Sequence, residues 1–204
     1  MTTLTAPSES FSRYWHRMLE KLTSLTQSLE AADISYALIQ NRAVDYWYST
    51  VGDEPHHTYG RCELLVRRQD LSRLMPILRT LPSRVTTKPK AVLVHKDEDY
   101  REYTFCFLFT GENLRKEELL PYPPLRKLVR SPRGWVIGLE SLVNMLLARH
   151  YTIDKCHLFS MFEYGLISPS WRERLPACLQ DRFDATYTAY ITEDDMKRGL
   201  RNAF

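Results

Sequence analysis

Arg61-Cys62-Glu63-Leu64-Leu65-Val66, running on into Arg67-Arg68-Gln69-Asp70-Leu71, is the stretch that decides how this chain folds. After Arg61, Cys62 to Val66 form an apolar block interrupted by one carboxylate. Beyond them Leu71, Leu74, Ile77 and Leu78 recur at helical spacing. A buried strand leading into an amphipathic helix accounts for that change of period. Glu63 is the odd member of the strand. A buried, unpaired carboxylate costs several kcal/mol or takes up a proton. Glu63 therefore points into a cleft, pairs with a base such as Arg61, or sits at an exposed edge, and a paired or edge glutamate is the simpler expectation.

Around this stretch the pattern is that of an ordinary globular domain. A chain of 204 residues suffices for one domain with a full core, or one domain with a small helical tail. A formal charge of +3 is too small to argue for nucleic acid or a membrane surface as partner. No apolar run is long enough to span a bilayer. Met1 to Glu9 is polar and lacks the apolar segment of a secretory signal, so a flexible leader over 1–9 and a cytoplasmic location are expected. Cys62, Cys106, Cys156 and Cys178 form no C-x-x-C pair and fit isolated buried thiols better than zinc or disulfides. The tyrosine-rich composition suggests tight packing and an interface.

Taken in order, a cap at Ser8 or Ser10 opens a long amphipathic helix, with Phe11, Trp15, Met18, Leu19, Leu22, Leu25 and Leu29 on one face. A short strand over Ser35–Ile39 and a short helix through Ala43–Trp47 follow. Ser49–Tyr59 is a loop, and His56-His57 beside Asp53 and Glu54 is too local to gather an ion without further ligands. Pro82 is expected to close the helix after the opening strand. Val85–Thr87 and Ala91–His95 predict a hairpin, Asp97–Glu102 a charged turn, and Tyr103–Phe109 a central strand. A strand over Trp135–Gly138 precedes a helix to about His150. Asp154 is expected to cap a helix ending at Gly165. A helix around Trp171 ends near Leu175-Pro176, Leu179, Phe183, Tyr187 and Tyr190 mark another, and Thr192–Phe204 is a short helix or a tail.

His57-Thr58-Tyr59-Gly60-Arg61-Cys62-Glu63-Leu64-Leu65-Val66 resembles the metal-binding strand of small bacterial proteins of the nucleotidyltransferase fold, the AbiEii/MNT-like group. The likeness continues through Asp154, His157-Leu158, Gly165-Leu166-Ile167, Trp171 and Leu175-Pro176, and covers about Tyr36 to Phe183. It implies an α+β fold: a nucleotidyltransferase-like mixed β-sheet flanked by helices over 10–138, with a C-terminal helical segment over 139–204. It also implies a nucleotide site, in which a Gly-Gly pair after the first strand admits a phosphate and two aspartates hold metal. Here those positions fall on Gln40-Asn41 and on Arg61 and Glu63. In the same comparison a Lys position falls on Leu146, an Arg position on Tyr151 and an Asp position on Ser168.

Nucleotidyl transfer needs two divalent ions held by clustered carboxylates. Arg61 cannot ligate a metal and repels one nearby. The strand from Tyr103 to Phe109 carries no third carboxylate, and the glycine pair is gone. The expected reading is a nucleotidyltransferase-like protein that is catalytically inactive and serves as a binding or regulatory module, with no cofactor. Its partner would be a protein, which the long first helix and a tyrosine-rich surface would serve, or a nucleotide held by Gln40, Asn41, Arg61 and Glu63. One alternative is an atypical metal-dependent nucleotidyltransferase, with Glu63 as catalytic and Mg²⁺-binding residue assisted by Asp45 or Glu112. Another is a metal-independent nucleotide sensor in which Arg61 supplies the phosphate counter-charge. His157 is expected to make an interhelical hydrogen bond. Arg67, Arg68, Arg73 and Arg79 form a solvated basic face, and nucleic acid is not expected to bind there.

Overall fold

The computed structural model describes residues 9–52, 61–95 and 103–202. The residues preceding 9, most of the Ser49–Tyr59 loop with its two histidines, and the Asp97–Glu102 turn lie outside the described residues. The chain folds as an α+β structure around one mixed seven-stranded sheet in the order β3-β4-β5-β2-β1-β7-β6. The strands are β1 (Tyr36–Ile39), β2 (Cys62–Val66), β3 (Val85–Lys88), β4 (Ala91–His95), β5 (Tyr103–Phe109), β6 (Val129–Ser131) and β7 (Gly134–Val136). Three helices, α1 (Glu9–Ala31), α2 (Asn41–Ser49) and α3 (Leu71–Arg79), belong to the sheet-forming part of the chain. Three more, α4 (Leu139–Arg149), α5 (Thr152–Glu163) and α6 (Ala177–Asn202), follow it.

The opening strand lies at the centre of the sheet. β2 pairs in parallel with β5 and antiparallel with β1, and every residue of β2 is buried. An edge position for Glu63 is thereby ruled out. Side chains alternate between the two faces of a strand. Cys62 packs on Met18 of α1, and Glu63 points the other way, towards Arg149 of α4. On the first face Met18, Leu22, Leu25 and Leu29 of α1 are buried, as their spacing predicts. α1 is fastened further by Glu30, which pairs with Arg130 and accepts a 2.7 Å hydrogen bond from the Tyr36 hydroxyl.

Several expectations are corrected. α3 stops at Arg79, ahead of Pro82, and holds Pro76 inside it. A short strand, β6, pairs with β7, which itself ends at Val136. α5 begins a turn earlier than Asp154 suggested. Asp154 occupies its first turn and accepts the backbone N–H of Tyr151 at 3.0 Å. The segment around Trp171 is a 3₁₀ turn over Pro169–Arg174. α6 is one continuous helix to Asn202, where a short helix or tail after Thr192 was expected. Cys156 and Cys178 are exposed, and only Cys62 and Cys106 are the buried thiols foreseen for all four. No tyrosine whose side chain is described is fully exposed, and the described apolar face of α1 is occupied by the core. No described helix is long and apolar enough to cross a membrane.

The helices after the sheet are tied together by their ends. Arg182 of α6 donates to the carbonyls of Leu147 and Ala148, at 3.0 and 2.6 Å, satisfying groups that the last turn of α4 leaves unpaired. Phe162 of α5 packs among Phe183, Tyr187 and Tyr190 of α6.

Candidate functional site

Register brings the expected site residues together. Ile39 lies opposite Glu63 across β1 and β2, so the Gln40-Asn41 pair that follows β1 falls beside Arg61, which precedes β2. Gln40, Asn41, Arg61 and Glu63 thus gather at one end of the two central strands.

Gln40 carries φ 52 and ψ −131, a combination that side chains disfavour and glycine adopts freely. Its carbonyl accepts the N–H of Val44 at 2.8 Å to start α2. Its side chain is buried, and Nε2 has no hydrogen-bond partner among the described residues. A glycine-type backbone at this corner thus carries a long polar side chain.

Asn41 opens α2, and its Oδ1 lies 3.0 Å from Nε2 of His157 on α5. That contact is the interhelical bond expected of His157. Tyr48 strengthens the same seam by donating to the His157 carbonyl at 3.0 Å. Burial, with the Arg149 charge added to it, pulls the His157 pKa down to about 4. The imidazole is therefore neutral at pH 7.

Glu63 lies at the centre of a charged cluster and is only 6% exposed. Its Oε1 accepts the Arg61 Nε–H at 3.0 Å, and its Oε2 lies 3.7 Å from Nη1 of Arg149. Arg149 turns its Nε to Oδ2 of Asp154 at 3.3 Å, and Asp154 is fully buried. Two guanidinium groups thus face two carboxylates. Burial works against the Arg149 charge, but Asp154 and Glu63 more than offset it and hold its pKa above the ordinary value. Arg149 escaped the sequence reading. The available signal was a lone cation ending the apolar run Leu142–Ala148, a few residues ahead of Asp154.

The residues present do not fit a divalent cation. No three His, Cys, Asp or Glu side chains among the described residues are placed to hold one ion. The carboxylates expected to assist Glu63 are each taken by another arginine. Asp45 pairs with Arg42 at 3.0 Å, and exposed Arg68 clasps Glu112 on the turn after β5. Guanidinium groups on both oxygens of Glu63 would repel a metal at that carboxylate.

No family model and no curated protein matches the chain. Among solved structures, the solution structure of the antibiotic-resistance factor ANT(2'')-Ia aligns with 90% of this chain and 93% of its own length, at 13% identity and a TM-score of 0.39.

Two outcomes follow from this geometry. Replacing Gln40 by glycine should raise stability by about 1 kcal/mol in urea unfolding. Relief of a disfavoured backbone and of an unpartnered buried amide outweighs the added freedom of the unfolded chain. The second concerns His157. With a folded pKa of about 4 and an unfolded value near 6.5, the unfolded state binds the extra proton between those limits. Its contribution is complete above about pH 6.5 and is lost as the pH falls towards about 4. His157→Gln, which can still bond Asn41, should flatten the stability curve over that window.

Proposed function

We propose that this chain is a nucleotidyltransferase-like protein without nucleotidyl-transfer activity, acting as a binding or regulatory module for a protein partner. Support comes from Glu63 itself. It is the one carboxylate among the two positions that correspond to metal ligands, and it is buried between Arg61 and Arg149. Two-metal catalysis needs the opposite arrangement, several carboxylates converging on an open cleft. Loading a cation here would require withdrawing two guanidinium groups and exposing the partners they leave behind.

A second reading, metal-independent nucleotide binding, is favoured by the corner at Gln40. Its glycine-type backbone opens α2, and helix N-termini attract phosphate. Arg61 is beside it with nearly half of its side chain exposed, and a guanidinium is well matched to phosphate oxygens.

Thermal unfolding with ATP, GTP, CTP and UTP, each with and without Mg²⁺ or Mn²⁺, separates these readings. A ligand at a hundred times its dissociation constant adds about 2.7 kcal/mol. No stabilisation is expected under any condition for the partner-binding module. A shift without metal that disappears in Arg61→Ala supports nucleotide sensing. A shift that requires metal contradicts the inactive reading and favours the metal-dependent enzyme.

A further inference from the structure

A cleft of about 460 Å³ opens beyond the carboxyl ends of β2 and β5, at the far end of β2 from Arg61. Arg67, Arg68 and Gln69, which follow β2, line it together with Thr110, which follows β5. Pro124, Leu125 and Arg126, from the loop ahead of β6, complete the lining, which is largely polar. β2 and β5 are parallel neighbours, so both chains leave the sheet at this point. In open sheets a crevice outside the carboxyl ends of parallel strands is a recurrent place for ligands.

The walls are held by bonds that leave two arginines over. The Thr110 N–H donates to the Val66 carbonyl at 3.0 Å, and the Arg126 N–H to the Pro124 carbonyl at 2.8 Å. Arg68 is fixed in place. It clasps Glu112 through Nε and Nη2, donates from Nη2 to the Pro89 carbonyl at 2.6 Å, and lies 3.9 Å from the centre of the Phe109 ring. Arg67 and Arg126 are exposed and, among the described residues, make no ion pair or side-chain hydrogen bond. No carboxylate belongs to the described lining. Glu112, the partner of Arg68, is held below the usual carboxylate range by that arginine first and by Lys90 as well. Four cations thus lie in or beside the cleft against one carboxylate. Like charges around a concavity focus a positive potential into it.

We propose that this cleft binds a small molecule through its phosphate groups. Arg67 and Arg126 donate to phosphate oxygens from two separate chain segments, and Arg68 adds the Nη1 that Glu112 and Pro89 leave over. A tetrahedral phosphate turns oxygens in several directions and can serve guanidinium groups on different segments at once. The two coplanar oxygens of a carboxylate suit a single fork. The volume is within the range usual for small-molecule sites, roughly 300–1,000 Å³. The site is separate from the Gln40–Arg61 corner, since Arg61 precedes β2 and Arg67 follows it.

The test uses the full chain and pyrophosphate in metal-free buffer at about 0.15 M salt, where exposed charges are screened beyond roughly 8 Å. Citrate, of similar charge, is the carboxylate counterpart. Calorimetry should show one pyrophosphate site, with citrate at least about tenfold weaker. Arg67→Gln and Arg126→Gln should each weaken pyrophosphate by roughly tenfold or more, as the loss of a charge-assisted hydrogen bond implies. Both side chains are exposed, so neither change opens the core. Arg17→Gln on α1, next to the Met18 that packs on Cys62 at the other end of β2, should leave affinity unchanged. Pyrophosphate should move the backbone amide resonances of Gln69 and Thr110, and not those of Gln40 and Asn41. No binding, equal binding of citrate, unchanged affinity in either cleft variant, or resonance shifts centred on Gln40 and Asn41 would each overturn the proposal. A nucleoside triphosphate carries the same groups, so the nucleotide comparison above is run in Arg67→Gln as well. Only the Gln40–Arg61 corner can respond in that background, and the two readings fail separately.

Discussion

The rest of the molecule depends on Arg149, a guanidinium held between the sheet and the helices that follow it. Arg149 and its two carboxylate partners lie on three different elements. Glu63 is in the central strand β2, Asp154 is in the first turn of α5, and Arg149 itself ends α4. Each carboxylate would be costly to bury alone. Together with Arg61 they form an alternating set that neutralises charge where the helices meet the sheet. Such a set adds little net stability compared with an apolar core, but losing one member leaves an uncompensated buried charge, a cost of about 3–5 kcal/mol. It joins α4 and α5 to the central strand of the sheet.

The neighbouring contacts follow from that placement. With α5 held by Asp154, His157 comes to Asn41 and its backbone carbonyl comes to Tyr48, which secures α2. The Arg149 charge is one reason that His157 stays neutral, so the cation that joins sheet and helices also sets the protonation of the seam beside it. His150, in a left-handed conformation between α4 and α5, reverses the chain and reaches Thr186 of α6 at 3.1 Å. The polar corner at Gln40 borders this cluster through Arg61, which is itself a partner of Glu63.

Much of this was legible in the sequence because it depends on local period. The strand–helix switch at Arg61–Leu78, the aromatic strand Tyr103–Phe109, the hairpin around Lys88-Pro89-Lys90 and the α1 stripe all rest on apolar spacing. β6 escaped because Val129–Ser131 is too short to show a period, and its existence depends on pairing with β7. The extension of α6 escaped because the sequence Thr192–Asn202 is mostly polar, with no apolar stripe to count. At the site, the sequence isolated Glu63 and offered Arg61 as its partner, and both were found together. It did not single out Arg149, one of whose two partners, Glu63, is 86 positions away, because ion pairing at that separation leaves no pattern in sequence. Nor could it show that Asp45 and Glu112 would be claimed by Arg42 and Arg68.

The central claim, that Glu63 belongs to a buried ion-pair network and not to a metal site, is tested most directly by a double-mutant cycle on Glu63→Leu and Arg149→Leu, read by urea unfolding. Strong coupling is predicted, about 1.5 kcal/mol or more, because either substitution removes the same buried ion pair, while the loss of Asp154's partner is common to the Arg149 variant and the double variant and cancels in the cycle. Additivity to within about 0.5 kcal/mol would contradict it, leaving Glu63 energetically independent of the arginine beside it.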